Sequence, residues 1–270
     1  MNTKKVIVLL IFLRICEAVF GQNYYIEGLK EFEKENYSDA ARLFAKAIDL
    51  REQISKAYMM RGASFCELHR YTNALVDIDS SLILNPDSYE AYYFKARTYL
   101  LYGFTSLALE NVNKSLALNP KYAKSYNVRS VIKMSGNDTI GALQDISYAI
   151  QIDSTNPNFY TARGYLSAKS GNHLSAISDF NKSLNLKRTR AAYADRGASY
   201  LELKIYNKAI DDFTKSLSYN PDDKEVLYLR AVAYIALSNI EAACEDLNKS
   251  AKLGYNLSKE RMAKICSKKQ

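Results

Sequence analysis

The chain has 270 residues, with 37 lysines and arginines against 29 aspartates and glutamates and a formal net charge of +8. Such an excess suggests nucleic acid or an anionic membrane as partner until its location is considered. Lys4, Lys5 and Arg14 against Glu17 carry +2, and Lys259, Arg261, Lys264, Lys268 and Lys269 against Glu260 carry +4, so the long middle is nearly neutral and lacks the converging cations that a duplex binder needs.

Residues 1–21 read as a signal peptide: Lys4 and Lys5, then an apolar run from Val6 to Leu13, then a polar stretch reaching Gly21, with cleavage expected before Gln22. A run of eight is too short for a hydrocarbon layer that takes about 20 residues. A lipid anchor on Cys16 is disfavoured, because Arg14 and Ile15 stand where small neutral residues are wanted. Export brings the remaining cysteines into an oxidising compartment. Cys244 and Cys266, on consecutive predicted helices, form the candidate disulfide, leaving Cys66 as a small apolar residue.

From there to the end the chain repeats. Ala40, Ala74, Ala108, Ala142, Ala176, Ala209 and Ala243 stand 34 residues apart, with one interval of 33. A period of this length marks stacked supersecondary units that bury their apolar faces only against one another. With each alanine numbered position 20, the units run over about 21–54, 55–88, 89–122, 123–156, 157–189, 190–223 and 224–257. Apolar and small residues recur at helical spacing, pause near positions 15 to 17, and resume, which predicts two helices and a tight turn. Asn85-Pro86, Asn119-Pro120 and Asn220-Pro221 punctuate the unit boundaries.

A hairpin turning near position 15 places residues equidistant from the turn face to face. Position 8 is small (Gly28, Gly62, Ala96, Ser130, Gly164, Gly197, Ala231), and position 24 opposite it is apolar and mostly large (Phe44, Ile78, Val112, Ile146, Phe180, Phe213, Leu247). Position 4 is tyrosine in six units, from Tyr24 to Tyr193, and faces only alanine or serine at position 27, so the tyrosine stripe reads as seam packing rather than a stacking platform. Position 7 carries Arg61, Arg129, Arg163, Arg196 and Arg230, and position 23 carries Asp77, Asp145, Asp179, Asp212 and Asp246. These are candidate structural ion pairs; in the third unit the arginine becomes Lys95 and the aspartate Asn111.

With these positions assigned, the pattern resembles the tetratricopeptide repeat family, most plainly in AYMMRGASFCELHRYTNALVDIDSSLILNP and AAYADRGASYLELKIYNKAIDDFTKSLSYNP. The likeness covers residues 23 to about 254 of a repeat domain over 22–257, with tyrosine in place of the usual tryptophan at position 4, an irregular first unit and a fifth unit one residue short. It implies an all-α, right-handed superhelical solenoid of about seven antiparallel helix pairs, with a capping helix and basic tail over 258–270. It also implies a concave groove lined from the first helices, in which Met59, Tyr93, Arg97, Asn127, Thr161, Tyr165, Lys169 and Tyr228 are the candidate partner-binding residues. The carboxylate-gripping subclass is not matched: Lys56 pairs with Met60, Glu90 with Phe94, Lys124 with Val128 and Asn158 with Ala162.

Catalytic chemistry is not indicated. His69 and His173 lie in predicted turns without ligand spacing, and Cys66 with His69 falls short of the four groups, or three plus water, of a zinc site. No phosphate loop or nucleophile elbow is present. Neither catalytic residues nor metal, cofactor, small-molecule substrate or nucleic acid are therefore expected. Six glycan-acceptor matches occur, three of them in N-K-S phrases (Asn113, Asn181, Asn248) whose serine belongs to the seam, which favours a bacterial export route. The reading is a non-catalytic scaffold in the periplasm or at the cell surface of a bacterium, binding a protein or peptide segment in its groove. The alternative is a cell-envelope assembly component attached through its convex face or basic C-terminal end, with membrane contact not favoured.

Overall fold

A computed structural model describes residues 23–266. The signal-peptide reading, including Cys16, and the lysines at 268 and 269 lie outside them. Among the described residues there are fifteen α-helices and no strand. In hairpin order they are α1 (Tyr24–Glu33) with α2 (Tyr37–Asp49), α3 (Ile54–Glu67) with α4 (Tyr71–Leu84), α5 (Tyr89–Tyr102) with α6 (Thr105–Leu118), and α7 (Ala123–Ser135) with α8 (Thr139–Ile152). There follow α9 (Pro157–Lys169) with α10 (His173–Leu186), α11 (Arg190–Glu202) with α12 (Tyr206–Tyr219), α13 (Lys224–Ala236) with α14 (Ile240–Lys252), and a last helix α15 (Asn256–Ile265).

The turn inside every hairpin has one chemistry. Position 15 is left-handed in all seven repeats: Glu35 (φ 64°), His69 (58°), Gly103 (94°), Asn137 (63°), Gly171 (79°), Lys204 (60°) and Ser238 (59°). The next amide reaches back to the carbonyl of position 11, as in Arg70 N to Phe65 O at 2.8 Å and Ile205 N to Tyr200 O at 2.8 Å. The amide of position 15 reaches position 12, as in Glu35 N to Phe32 O at 3.0 Å. This pair of bonds is the Schellman motif, which satisfies the last carbonyls of the first helix while starting the second.

Between hairpins the first helix is capped by side chains. Ser88 accepts from Ala91 N, Asn156 from Asn158 N, Thr189 from Ala192 N and Asp223 from Val226 N. The short fifth unit loses its residue in this connection: Lys187 leaves α10 in extended conformation and Thr189 already caps α11. The irregular first unit leaves α2 through Arg51 and Gln53, both left-handed, and Glu52 accepts the Tyr25 amide at 3.2 Å.

Close approach of the two helices holds the seam. A Cβ added at Gly28 would meet the Phe44 ring at 2.6 Å, at Gly164 the Phe180 ring at 2.8 Å, and at Gly197 the Phe213 ring at 2.8 Å. Phe44, Phe180, Phe213, Ile78, Ile146, Leu247 and Val112 are fully buried, each against a small residue of its hairpin partner. The serines of position 27 turn their hydroxyls to the backbone at the start of the first helix: Ser115 donates to Tyr89 O, Ser216 to Arg190 O and Ser250 to Lys224 O, at 2.9, 3.2 and 2.6 Å. A serine rather than an alanine there gives a buried hydroxyl an acceptor and ties the end of the second helix to the start of the first.

The chain forms two compact units, residues up to Val128 and residues from Arg129. The first is a stack of α1 to α6 with the start of α7. The second stacks the remainder, and α15 closes it: Cys244 and Cys266 are disulfide-bonded with Cα atoms 5.8 Å apart, and Ser258 Oγ donates to Ser250 Oγ at 2.7 Å. Cys66 is a buried free thiol. No described helix is long and apolar enough to cross a membrane.

Candidate interaction surface

What a first helix can offer a partner depends on which of its faces its neighbours consume. The face towards its own second helix is held by arginine and aspartate. Arg61 donates Nε and Nη2 to the two oxygens of Asp77 at 2.7 and 2.8 Å, and Arg129 to Asp145, Arg163 to Asp179, Arg196 to Asp212 and Arg230 to Asp246 do the same within 2.6 to 2.8 Å. The carboxylates are buried, Asp212 at 2 % exposure, while the guanidiniums lie along aromatic rings of positions 4 or 11, as Arg196 does along Tyr193 and Tyr200 at 5.8 and 5.9 Å. Burial by itself would raise the Asp145 pKa, but hydrogen bonds from Arg129 and Lys133 outweigh it and hold the carboxyl below its ordinary value. These arginines are committed within the fold. Repeat 3 departs: Lys95 pairs with Asp79 of the preceding helix at 2.6 Å, and Asn111 donates to Leu107 O of its own helix.

Position 5, expected in the groove, is instead largely a flank residue. Met59 is 8 % exposed and joins a core cluster with Tyr25, Phe44 and Ile78. Tyr93 packs edge-on to Tyr122 at 5.3 Å, and burial pushes its phenol pKa up. The Thr161 hydroxyl is engaged with Ser183 Oγ at 2.7 Å and Pro157 O at 3.2 Å. Tyr228 is covered from two sides, by the Tyr255 ring at 5.3 Å and the Arg261 guanidinium at 5.3 Å. Asn127 is half-buried. The reason is geometric: a helix that packs against its partner and against the first helices on either side has one narrow outward strip left, and position 5 lies off it. Arg97, at position 9, is on the strip but bound to Glu67 of the preceding repeat.

Positions 2, 9 and 13 supply most of the outward strip, although Ala63 at position 9 is fully buried. In the second unit Tyr165 is 45 % exposed, with the Lys169 ammonium 5.8 Å from its ring centre. Beside them opens a cavity of about 130 Å³ lined by Tyr165, Ala168, Lys169, His173, Phe180, Asp195, Ala198, Ser199 and Glu202. Of the eight candidate groove residues, the structure therefore brings only Tyr165 and Lys169 together at an open hollow. Asp195 had not been anticipated. Its column, position 6, otherwise reads Ile26, Met60, Phe94, Val128, Ala162 and Leu229, and a single carboxylate among neutral residues was the available signal. In the first unit a cavity of about 210 Å³ includes Lys56, Met59 and Glu90. No group of three or more histidine, cysteine, aspartate or glutamate side chains suited to a metal ion occurs among the described residues.

A family model for the tetratricopeptide repeat matches residues 191–223 and 224–253. The crystal structure of a tetratricopeptide repeat protein from Parabacteroides merdae superposes with a TM-score of 0.60 at 19 % identity, over 88 % of this chain and 95 % of that one. Residues 191–253 thus match the tetratricopeptide repeat, and the chain shares the fold of a tetratricopeptide-repeat solenoid. A segment of 64 residues is 38 % identical to the Meiotically up-regulated gene 93 protein of Schizosaccharomyces pombe, covering 24 % of this chain and 17 % of that protein. The structure of the APC/C hetero-tetramer Cut9-Hcn1 contains a chain that matches with a TM-score of 0.79 and 17 % identity over 94 % of this protein. This chain spans about half of that one, 51 %. The tetratricopeptide-repeat fold supports a protein-interaction scaffold in general.

Proposed function

We propose that the protein is a non-catalytic scaffold that holds an extended or helical protein segment along the outward strip of its first helices, most strongly in the second unit. The observation that carries this reading is the exposed Tyr165 beside an open hollow. An aromatic ring left in water at the rim of a preformed cavity is the kind of anchor on which interfaces concentrate their binding energy. Its surroundings are rigid helices, so docking requires no refolding. The same proposal has the protein act in the periplasm or at the cell surface of a bacterium; the Cys244–Cys266 bond suits an oxidising compartment, and the reading of residues 1–21 agrees with export.

A second reading, attachment of an envelope assembly through the outer face, is favoured by α4, where Val76 and Ile83 are 63 % and 81 % exposed. Photo-cross-linking side chains placed at positions 165 and 83 separate the two. Capture of a protein from the native envelope fraction at 165 and none at 83 is the expected result; capture at 83 alone rejects the groove.

A further inference from the structure

The hollow next to Tyr165 has an electrical character that the groove reading leaves unused. Its walls carry two carboxylates, Asp195 and Glu202, and one ammonium, that of Lys169. Lys169 leans on the Tyr165 ring rather than on either acid. Arg190, the cation whose charge Asp195 feels most, is bound to Asp223. No hydrogen bond or ion pair serves the Asp195 carboxylate, and Ser199 Oγ, one turn away, donates to the Asp195 backbone carbonyl instead. Burial raises its pKa to about 6, a measure of how poorly this carboxylate is solvated, yet it remains ionised at neutral pH. At the same wall the Nδ1 of His173 is buried without a hydrogen-bond partner. The hollow thus holds a carboxylate without a partner and an unpartnered ring nitrogen, while its ammonium is turned to the Tyr165 ring.

Size narrows the occupant. A volume of about 130 Å³ is well short of the roughly 300 Å³ at which small-molecule sites begin. It suits the end of one side chain. We propose that this cavity receives the ammonium or guanidinium of a single lysine or arginine from the bound segment, with Asp195 as its counterion and the Tyr165 ring against its methylenes. The assignment rests on the groove reading and adds to it the partner's chemistry: a segment with one basic anchor among small or apolar residues, which match the alanines that Ala168 and Ala198 present. A charge-assisted bond to a poorly solvated carboxylate is among the stronger contacts such a surface can make, and it discriminates against neutral residues of the same length.

The test uses the full chain and model compounds. Backbone amide resonances of Ala198, Ser199 and Glu202 are followed by NMR during titration with Nα-acetyl-lysine methylamide, Nα-acetyl-arginine methylamide and, as uncharged mimics, the norleucine and citrulline analogues. Saturable shifts with the two cations, absent with the mimics and weakened about tenfold or more by Asp195→Asn, are expected. The Asn variant is isosteric and its circular dichroism should match the parent. Glu202→Gln should weaken binding far less. Equal shifts with norleucine, an Asp195→Asn protein that binds as well as its parent, or equal losses in both variants would overturn the cation assignment. If cross-linking at position 165 still captures a protein in that event, the groove survives with a neutral anchor; if it captures none, both readings fall.

Discussion

Asp212 and Arg196 show how one ion pair works at two depths. The aspartate side chain is 3 % exposed and the arginine side chain 16 %, and the arginine has a further acceptor in Asn181 Oδ1. Removal of the arginine strands a buried anion, whereas removal of the aspartate leaves a cation that reaches water. Arg196→Met should therefore cost about 3 kcal/mol and Asp212→Asn about half of that, while the double replacement Arg196→Met with Asp212→Leu should recover much of the loss. Urea unfolding midpoints measure all three, and an Arg196→Met protein as stable as Asp212→Asn would show that depth does not govern the pair. Repeat 3 is the natural counterpart: with Lys95 turned to Asp79 and Asn111 bonded to its own helix, it folds without the strut, so the pairs select register rather than make the hairpin possible.

At the scale of the element, seven turns adopt one geometry with five different non-glycine residues and two glycines at the left-handed position. An L side chain there costs about 1 kcal/mol, partly offset in glycine by the entropy of a looser unfolded chain. Lys204→Gly should raise the stability of the α11–α12 hairpin by about 0.5 kcal/mol, and Gly171→Ala should lower that of α9–α10 by about 1 kcal/mol. Thermal melting reads both, and a stabilised Gly171→Ala protein would contradict the role given to the turn. Glu35, His69, Lys204 and Ser238 also explain why the pause in apolar spacing locates the turn but does not reveal its left-handed backbone: the usual glycine signal is missing, and the motif is carried by backbone bonds that any residue can make at some cost.

At the largest scale, stability within each of the two units is distributed along a line in which each hairpin leans mainly on the next. The disulfide fastens the last of them, closing a span of 22 residues, which loop-closure entropy values at about 3 kcal/mol. Replacing Cys244 and Cys266 with serine should speed amide exchange throughout α15 and into α14, and leave α1 to α4 unchanged. Hydrogen-deuterium exchange with mass spectrometry gives the map. Equal acceleration in α1 to α4 would mean that the chain unfolds as one cooperative body rather than unit by unit.

The period, the hairpin and the arginine–aspartate partners were all legible in the amino-acid order, because each is a relation inside one repeat: the paired residues are 16 apart and share one turn. What a first helix exposes was settled only when neighbouring repeats packed against it. Met59 has the spacing of a groove column but packs with Tyr25 and Phe44 of the preceding repeat, Tyr228 is covered by Arg261 of the last helix, and Arg97 is claimed by Glu67, 30 residues earlier, while Tyr93 and Thr161 are taken up inside their own repeats by Tyr122 and Ser183. The desolvation of Asp195 likewise arises from where α9, α10 and α11 meet. Composition and spacing record which residues a repeat owns; solvent access is a property of the stack, since water is excluded by whichever surface arrives from elsewhere in the chain.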